Sequence, residues 1–210
     1  MKIGVLGAGN VGGTLGRGWA KAGHEVKFGV RDPGEAKVRQ LVADAGGGAS
    51  AGTVAEAAAF GEVVALTVPW EAAEDALRRA GDLAGKTLCD CTNPVLPNLA
   101  GLALGHDTSA GERVAGWAKG ARVVKVFNST GFNNMADPRY GDTAATMFYC
   151  GDDEPAKAQA ARLAADLGFE PVDAGPLAQA RLLEPLALLW ITLAHRQGLG
   201  RDIAWKLLRR

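Results

Sequence analysis

The sequence is short of the residues from which many catalytic and metal sites are built. It contains three histidines and three cysteines among 210 residues. The cysteines, Cys89, Cys91 and Cys150, are odd in number and irregularly spaced, so they form a poor framework for disulfides. No further His or Cys pair follows at the spacing of metal ligands. We therefore expect no metal site, and a reducing cytoplasm as the compartment.

An excess of positive charge is also missing. The 23 Lys and Arg residues balance 23 Asp and Glu residues, so the formal net charge is zero. Proteins that bind the nucleic-acid backbone usually carry a strong basic excess. The longest apolar run, residues 185–194, is about half the roughly 18 residues that a membrane span needs, and no signal peptide is visible. We expect neither a nucleic-acid partner nor a membrane association.

Short apolar segments alternate with amphipathic ones over residues 1–127. This alternation predicts an α/β fold of the Rossmann type, a doubly wound and mostly parallel sheet. Residues 128–210 are expected to add the remaining strands and a small helical C-terminal region, which lines a substrate slot and can supply a dimer contact. Strands are predicted over 2–6, 24–30, 62–68, 86–92, 122–127, 143–150 and 170–173, and late helices over 155–167, over 177–197 and from 202 onwards.

A glycine-rich segment, Gly7-x-Gly9-x-x-Gly12, follows the first predicted strand and opens a helix. In that context the spacing is the fingerprint of dinucleotide binding. The first glycine permits a tight turn, the second a close approach of the pyrophosphate, and the third close packing of helix on strand. The N-terminus of the helix, with Asn10 and Val11, offers free N–H groups to the phosphates.

The end of the second strand selects the nucleotide. An NAD site needs a carboxylate there for the ribose 2′-hydroxyl. If the strand ends at Val30, the next residue is Arg31, whose guanidinium can form bidentate hydrogen bonds to a 2′-phosphate. Asp32 is the ribose ligand if the strand runs longer, but the Pro33-Gly34 that follows favours a turn. The sequence therefore favours NADP over NAD.

Three further loops follow predicted parallel strands. Ligands of open α/β sheets bind outside the carboxyl ends of the strands, so these loops are expected to complete the cleft. Their candidate binding residues are Thr67, Pro69, Trp70, Asn93, Asn128 and Ser129.

The sequence offers no residue that can be recognised as a general acid or base positioned for catalysis. His24 precedes the second strand, His106 lies in a Gly-His-Asp segment, and His195 lies late in an apolar helix. Reduction of a ketone or imine usually needs a proton donor. Hydride transfer between two planar heterocycles needs only stacking and exclusion of water. We therefore expect no catalytic side chain.

Nearly the whole chain resembles the NADPH-dependent reductases of coenzyme F420 (8-hydroxy-5-deazaflavin). It is also similar to the reductase domain of the STEAP metalloreductases. The segments that carry the resemblance occur in the same order and are Gly7–Gly12, Gly29–Asp32, Thr67–Glu71, Val124–Asn128 and Asp173–Leu177, followed by Ala180–Leu186.

This resemblance implies a Rossmann domain that binds NADP, a deazaflavin stacked on the nicotinamide, and a homodimer formed through the C-terminal region. It implies that Gly9, Asn10 and Val11 hold the pyrophosphate and Arg31 the 2′-phosphate. Pro69 and Trp70 would flank the nucleotide, Asn128 would line its nicotinamide end, and Gly175, Pro176 and Leu177 would close the second slot.

The chain departs from the family at Val30, where a Ser or Thr often gives the 2′-phosphate another hydrogen bond. Two alternatives therefore stay open. One is an NADP-dependent reductase of another acceptor, such as a flavin, a ferric chelate or a small imine. The other is a non-catalytic NADP-binding module.

Overall fold

The computed structural model describes all 210 residues, and its centre is a twisted sheet with helices on both faces. The strands are β1 (Lys2–Leu6), β2 (Glu25–Gly29), β3 (Ala49–Gly52), β4 (Val63–Leu66), β5 (Thr87–Asp90), β6 (Arg122–Lys125), β7 (Arg139–Tyr140), β8 (Thr143–Ala144), β9 (Thr146–Gly151) and β10 (Glu170–Asp173). The helices are α1 (Asn10–Lys21), α2 (Ala36–Ala45), α3 (Val54–Phe60), α4 (Ala73–Ala80), α5 (Ala110–Trp117), α6 (Phe132–Ala136), α7 (Glu154–Asp166) and α8 (Ala180–Ile191).

Eight of the strands form one sheet in the order β10-β9-β6-β5-β4-β1-β2-β3. The six strands from β6 to β3 in this order are mutually parallel. β9 runs antiparallel to β6, and β10 is parallel to β9. The small antiparallel pair β7-β8 stands apart. The expected Rossmann-type α/β fold is confirmed, with a C-terminal helix after the last strand.

The sheet separates two apolar layers, because alternate residues of each strand point to opposite faces. On one face Val5 and Phe28 pack with Leu15 and Trp19 of α1 and Leu163 of α7. The other layer lies beneath α3, α4 and α5 and includes Leu6, Val64, Leu66, Leu77, Leu88 and Val114. Burial on both faces explains why strands such as β4 consist of apolar residues throughout.

Two segments differ from the sequence prediction. β3 was not expected, because its residues Ala49–Gly52 lack the branched and aromatic side chains typical of strands.

The prediction of a helix from Asp202 is wrong, because residues 202–210 contain no helix. The N–H of Thr146 donates to the carbonyl of Trp205 at 2.8 Å, and the indole of Trp190 donates to the carbonyl of Ile203 at 2.6 Å. These tertiary hydrogen bonds hold the tail extended against the domain.

The last helical segment of the chain is longer than the apolar run at residues 185–194. α8 is preceded by a 3₁₀ turn, Leu177–Gln179, and continues into a π-helical turn, Thr192–Arg196. Leu177–Arg196 thereby becomes a run of 20 residues with mean hydropathy 1.3, and by length and composition alone it could cross a membrane. A core helix meets the same criterion, and Leu183, Ala187 and Trp190 are buried against the domain.

Candidate functional site at the carboxyl edge of the sheet

The glycine-rich loop is shaped by its glycines at the carboxyl end of β1. Gly7 has φ +107°, and its N–H donates to the carbonyl of Gly29 at 3.0 Å. A Cβ on Gly12 would lie within 3.0 Å of both the Gly7 carbonyl oxygen and the Thr67 hydroxyl. Residue 12 must therefore be glycine for α1 to start this close to the strand.

Gly9, unlike Gly12, has open space beside it. A Cβ added at Gly9 would have no atom within 4 Å other than those of its chain neighbours. Gly9 occupies the N-cap position of α1, and no side chain caps that helix end. The first backbone N–H groups of a helix have no partner within the helix. This end of α1, with Asn10 and Val11 in its first turn, is therefore open and able to receive an anion.

Thr67 and Trp70 both make contacts within the protein. The Thr67 hydroxyl lies 2.9 Å from the carbonyl oxygen of Leu6 and 3.2 Å from that of Gly7, so it supports the glycine-rich loop from the next strand. Trp70 stacks on Trp117 of α5 with ring centres 5.2 Å apart and planes inclined by 27°. Pro69 is exposed beside it.

β2 ends at Gly29, so Arg31 lies just beyond the strand. Its side chain is exposed and forms no ion pair in the structure. The Asp32 carboxylate accepts a hydrogen bond from the N–H of Gly34 at 2.9 Å, as a turn residue does. Lys37 pairs with Glu35 at 3.0 Å. Arg39 donates to the carbonyl of Gly34, whereas no protein group engages the guanidinium of Arg31.

The loops after β5 and β6 meet through two asparagines. The Asn93 side-chain amide donates to the backbone carbonyl of Asn128 at 2.8 Å. The Asn128 amide nitrogen in turn contacts Asn93 Oδ1 at 3.1 Å and the carbonyl oxygen of Leu183 at 3.0 Å. Asn128 Oδ1 and the Ser129 hydroxyl are buried and have no hydrogen-bond partner. Buried polar atoms without partners are uncommon, so these are two groups whose hydrogen bonds the protein itself does not complete.

Phe127 sets the direction of this loop. It is a buried non-glycine residue with φ +61°, and its ring packs edge-on against Trp19 with centres 5.6 Å apart. Such a backbone conformation costs about 1–3 kcal/mol and persists only where the surroundings enforce it. The strained turn places Asn128 and Ser129 at the carboxyl edge.

A buried ion triad beneath this edge was not found by sequence reasoning. The Lys125 ammonium is fully buried and lies 2.9 Å from Asp90 Oδ2, 2.9 Å from Glu184 Oε1 and 2.6 Å from the carbonyl oxygen of Thr92. The sequence signal is a charge at the carboxyl end of each of two neighbouring apolar strands, Asp90 in β5 and Lys125 in β6; the other charge in β6, Arg122, is exposed at its start. Opposite charges buried on adjacent strands indicate a pair.

The second carboxylate of the triad has further partners. Glu184 accepts hydrogen bonds from the N–H groups of Ala110 at 2.9 Å and Gly111 at 3.0 Å, at the N-terminus of α5. The positive end of that helix offsets the surplus negative charge. Burial by itself lowers the pKa of Lys125, but Asp90 and Glu184 more than offset this, so that its pKa is raised above the ordinary lysine value. The ammonium is therefore held in its charged form.

The structure does not bring Gly175, Pro176 and Leu177 to this edge. Because β9 runs antiparallel to β6, β10 ends towards the opposite edge of the sheet. The carbonyl of Gly175 accepts from the N–H of Gly151, which lies opposite Val124 in the sheet. Leu177 is buried in the layer beneath α5. Leu177 thus packs into the domain interior, while Pro176 is exposed and Gly175 half-buried at the end of β10.

One of the three histidines lies at the opposite edge of the sheet from the cleft residues. His24 bonds to Asp166 at 2.9 Å and to the N-terminal amine at 3.2 Å, at the start of β1. His106 and His195 are exposed. No group of three or more His, Cys, Asp or Glu side chains is arranged to hold a metal ion.

Comparisons with known proteins agree with this architecture. Residues 2–94 match the family described as NADP oxidoreductase, coenzyme F420-dependent. Metalloreductase STEAP3 of Rattus norvegicus is 33% identical over 194 residues, which cover 90% of this chain and 37% of that protein. This chain therefore spans little more than a third of the length of that relative.

Two solved structures extend the likeness. A protein from Arthrobacter sp. FB24, provisionally named an F420-dependent NADP-reductase, is 33% identical, with all of both chains covered and a TM-score of 0.90. An imine reductase from Aspergillus terreus, solved in complex with NADPH4, is 25% identical with a TM-score of 0.68; 94% of this chain and 63% of that one are covered. The chain belongs to the family of coenzyme F420-dependent NADP oxidoreductases and is related to metalloreductase STEAP3.

Proposed function

We propose that this protein transfers a hydride between NADP(H), bound at the carboxyl edge of the sheet, and a planar deazaflavin such as coenzyme F420. The observation that carries the proposal is the uncapped N-terminus of α1 at Gly9, together with the unpaired Arg31 at the end of β2. One offers N–H groups to a pyrophosphate and the other a guanidinium to a 2′-phosphate. The family and its relatives support the same nucleotide.

The glycine-rich loop fits the pyrophosphate half of the nucleotide. Gly7 and Gly12 give the loop its shape, and Gly9, Asn10 and Val11 would bind the phosphates through backbone N–H groups. Thr67 keeps the loop in place from β4. Pro69 and Trp70 would border the nucleotide, with the Trp70 ring already held by Trp117.

The nicotinamide end would lie beside the paired asparagines. Asn128 Oδ1 is a buried acceptor without a partner, and the neighbouring Ser129 hydroxyl is a buried donor and acceptor. These atoms complement the carboxamide of a nicotinamide, which both donates and accepts hydrogen bonds. When bound, the nicotinamide would supply or accept the hydride, while Asn93, Asn128 and Ser129 would orient its ring and help to keep water out.

A deazaflavin acceptor suits a cleft in which none of the proposed binding residues is a general acid or base. His24 lies at the opposite edge of the sheet, His106 and His195 are exposed, and the Lys125 ammonium is enclosed by its three acceptors. Hydride transfer between stacked planar rings does not need a protein proton donor. This is the reason for preferring a deazaflavin to an imine.

Residues 1–127 would hold the nucleotide, and residues 128–210 would shape the acceptor side and a homodimer contact. The outer face of α8 supports a dimer because Leu182 and Leu189 are 66% and 48% exposed there. Apolar side chains aligned on one helix face are typical of a surface that a second subunit covers.

Two single alanine variants test nucleotide binding and folding separately: Gly12→Ala should affect stability, and Gly9→Ala should affect NADPH binding. Gly12→Ala should lower the melting temperature by roughly 2–12 °C, because overpacking of this kind costs about 1–3 kcal/mol. Gly9→Ala should melt like the wild type, yet weaken NADPH binding about tenfold or more, because its methyl group obstructs the phosphates. Calorimetric titration and thermal melting measure both. Tight NADPH binding by a stable Gly9→Ala variant would contradict the assigned phosphate site.

Arg31→Ala should abolish the preference for NADPH over NADH. Loss of a charged hydrogen-bonding partner should weaken NADPH binding by about 10- to 100-fold and leave NADH binding nearly unchanged. Arg113→Ala is the matched control, since it removes an exposed arginine from α5, outside the cleft. If Arg31→Ala binds both nucleotides as the wild type does, Arg31 is not the 2′-phosphate ligand.

Stopped-flow mixing of the NADPH-loaded protein with oxidised deazaflavin tests the acceptor. The deazaflavin absorbance should bleach in a single turnover, with stoichiometric loss of NADPH absorbance. A flavin, a ferric chelate and a cyclic imine are the comparison acceptors. Faster turnover with one of these would reject the deazaflavin, and no turnover with any acceptor by a protein that binds NADPH would support a non-catalytic binding module.

A further inference from the structure

The Lys125 ammonium uses its full hydrogen-bonding capacity inside the protein. An ammonium has three N–H donors, and three acceptors surround this one: Asp90, Glu184 and the carbonyl of Thr92. The side chain has no exposed surface. Lys125 therefore does not reach a ligand, and any effect on the cleft must pass through its neighbours.

Two of these acceptors are sequence neighbours of the groups that hold the Asn128 amide. Thr92 directly precedes Asn93, whose Oδ1 lies 3.1 Å from Asn128 Nδ2. Glu184 directly follows Leu183, whose carbonyl oxygen lies 3.0 Å from the same nitrogen. Lys125 thus contacts the residue next to each of the two groups that hold Asn128: the backbone carbonyl of Thr92 just after β5, and the side-chain carboxylate of Glu184 in α8.

We propose that Lys125 is a positioning residue that sets the orientation of the Asn128 side-chain amide. By holding Thr92 and Glu184, it keeps both acceptors of Asn128 Nδ2 in place, so that the NH₂ group is satisfied within the protein. Asn128 Oδ1 is then the atom left to accept a hydrogen bond from a ligand. The assignment of that ligand as the nicotinamide rests on the proposed function, whereas the amide orientation does not.

A second buried lysine allows this role to be separated from simple stabilisation. Lys157 lies in α7 and pairs with Glu154 and with Asp173 at the end of β10. It is also a largely buried ammonium between two carboxylates, but neither partner adjoins a residue that contacts Asn128. Lys157→Met is therefore the matched control for Lys125→Met.

The experiment has two readouts in the full-length protein. The first is the hydrogen exchange of the Asn128 side-chain NH₂ in ¹⁵N NMR spectra without nucleotide, assigned from the signals that disappear in Asn128→Asp. The second is the ratio of the dissociation constants of NADPH and 2′,5′-ADP, which lacks the nicotinamide. The variants are Lys125→Met and Glu184→Gln; the latter keeps the side-chain shape and decides the question if Lys125→Met does not fold.

In both Lys125→Met and Glu184→Gln the Asn128 NH₂ should exchange about tenfold faster than in the wild type, because local opening is no longer restrained. Both variants should also raise the ratio of the NADPH dissociation constant to that of 2′,5′-ADP about tenfold, because only NADPH binding is weakened. This is the size of effect expected from the loss of one hydrogen bond. Lys157→Met should change neither readout. Unchanged amide exchange in a folded Glu184→Gln variant would overturn the proposal, as would equal weakening of both ligands. If the wild type binds neither nucleotide, the proposed function fails, while the amide exchange still tests the positioning role.

Discussion

The burial of the Lys125 charge is the constraint on which the arrangement of the C-terminal region depends. A buried ammonium is tolerated only with well-placed partners, and removing one partner of a buried pair typically costs about 3–5 kcal/mol. Here the partners come from β5 and from α8, and Glu184 also caps α5. Four elements that are distant in sequence are thereby tied together directly beneath the cleft. Apolar packing alone would leave the register of α8 on the sheet less specific.

The direction of β9 determines what the rest of the chain contributes to the cleft. Because β9 is antiparallel to β6, the strand β10 delivers its loop to the far side of the sheet from the glycine-rich loop. The 3₁₀ turn at Leu177 then starts the helical run there, and α8 leads back past Lys125 to Asn128. The polypeptide after residue 173 therefore reaches Asn128 through α8, whereas the Gly175–Leu177 loop follows β10 at the opposite edge of the sheet.

Local features were predictable from the sequence, whereas long-range ones were not. The glycine-rich loop and the turn at Asp32 follow from spacing and composition, because each depends on residues close in the chain. The parallel core follows from the alternation of strand and helix segments, which requires crossover connections. Strand direction at β9 depends on tertiary packing and leaves no local pattern. The Lys125 triad joins three separate segments, so only its isolated charges in apolar strands indicate it. The helix expected from Asp202 failed because hydrogen bonds to the domain outweighed its apolar periodicity.

Hydrogen exchange measured by mass spectrometry, with and without NADPH, tests the central claim that the nucleotide binds at the carboxyl edge. Bound ligand slows exchange where it restrains local opening. The account predicts slower exchange in peptides covering residues 6–14 and 126–131, and no change in peptides covering residues 173–178. Slower exchange at 173–178 with none at 6–14 would place the ligand at the opposite edge and contradict the account.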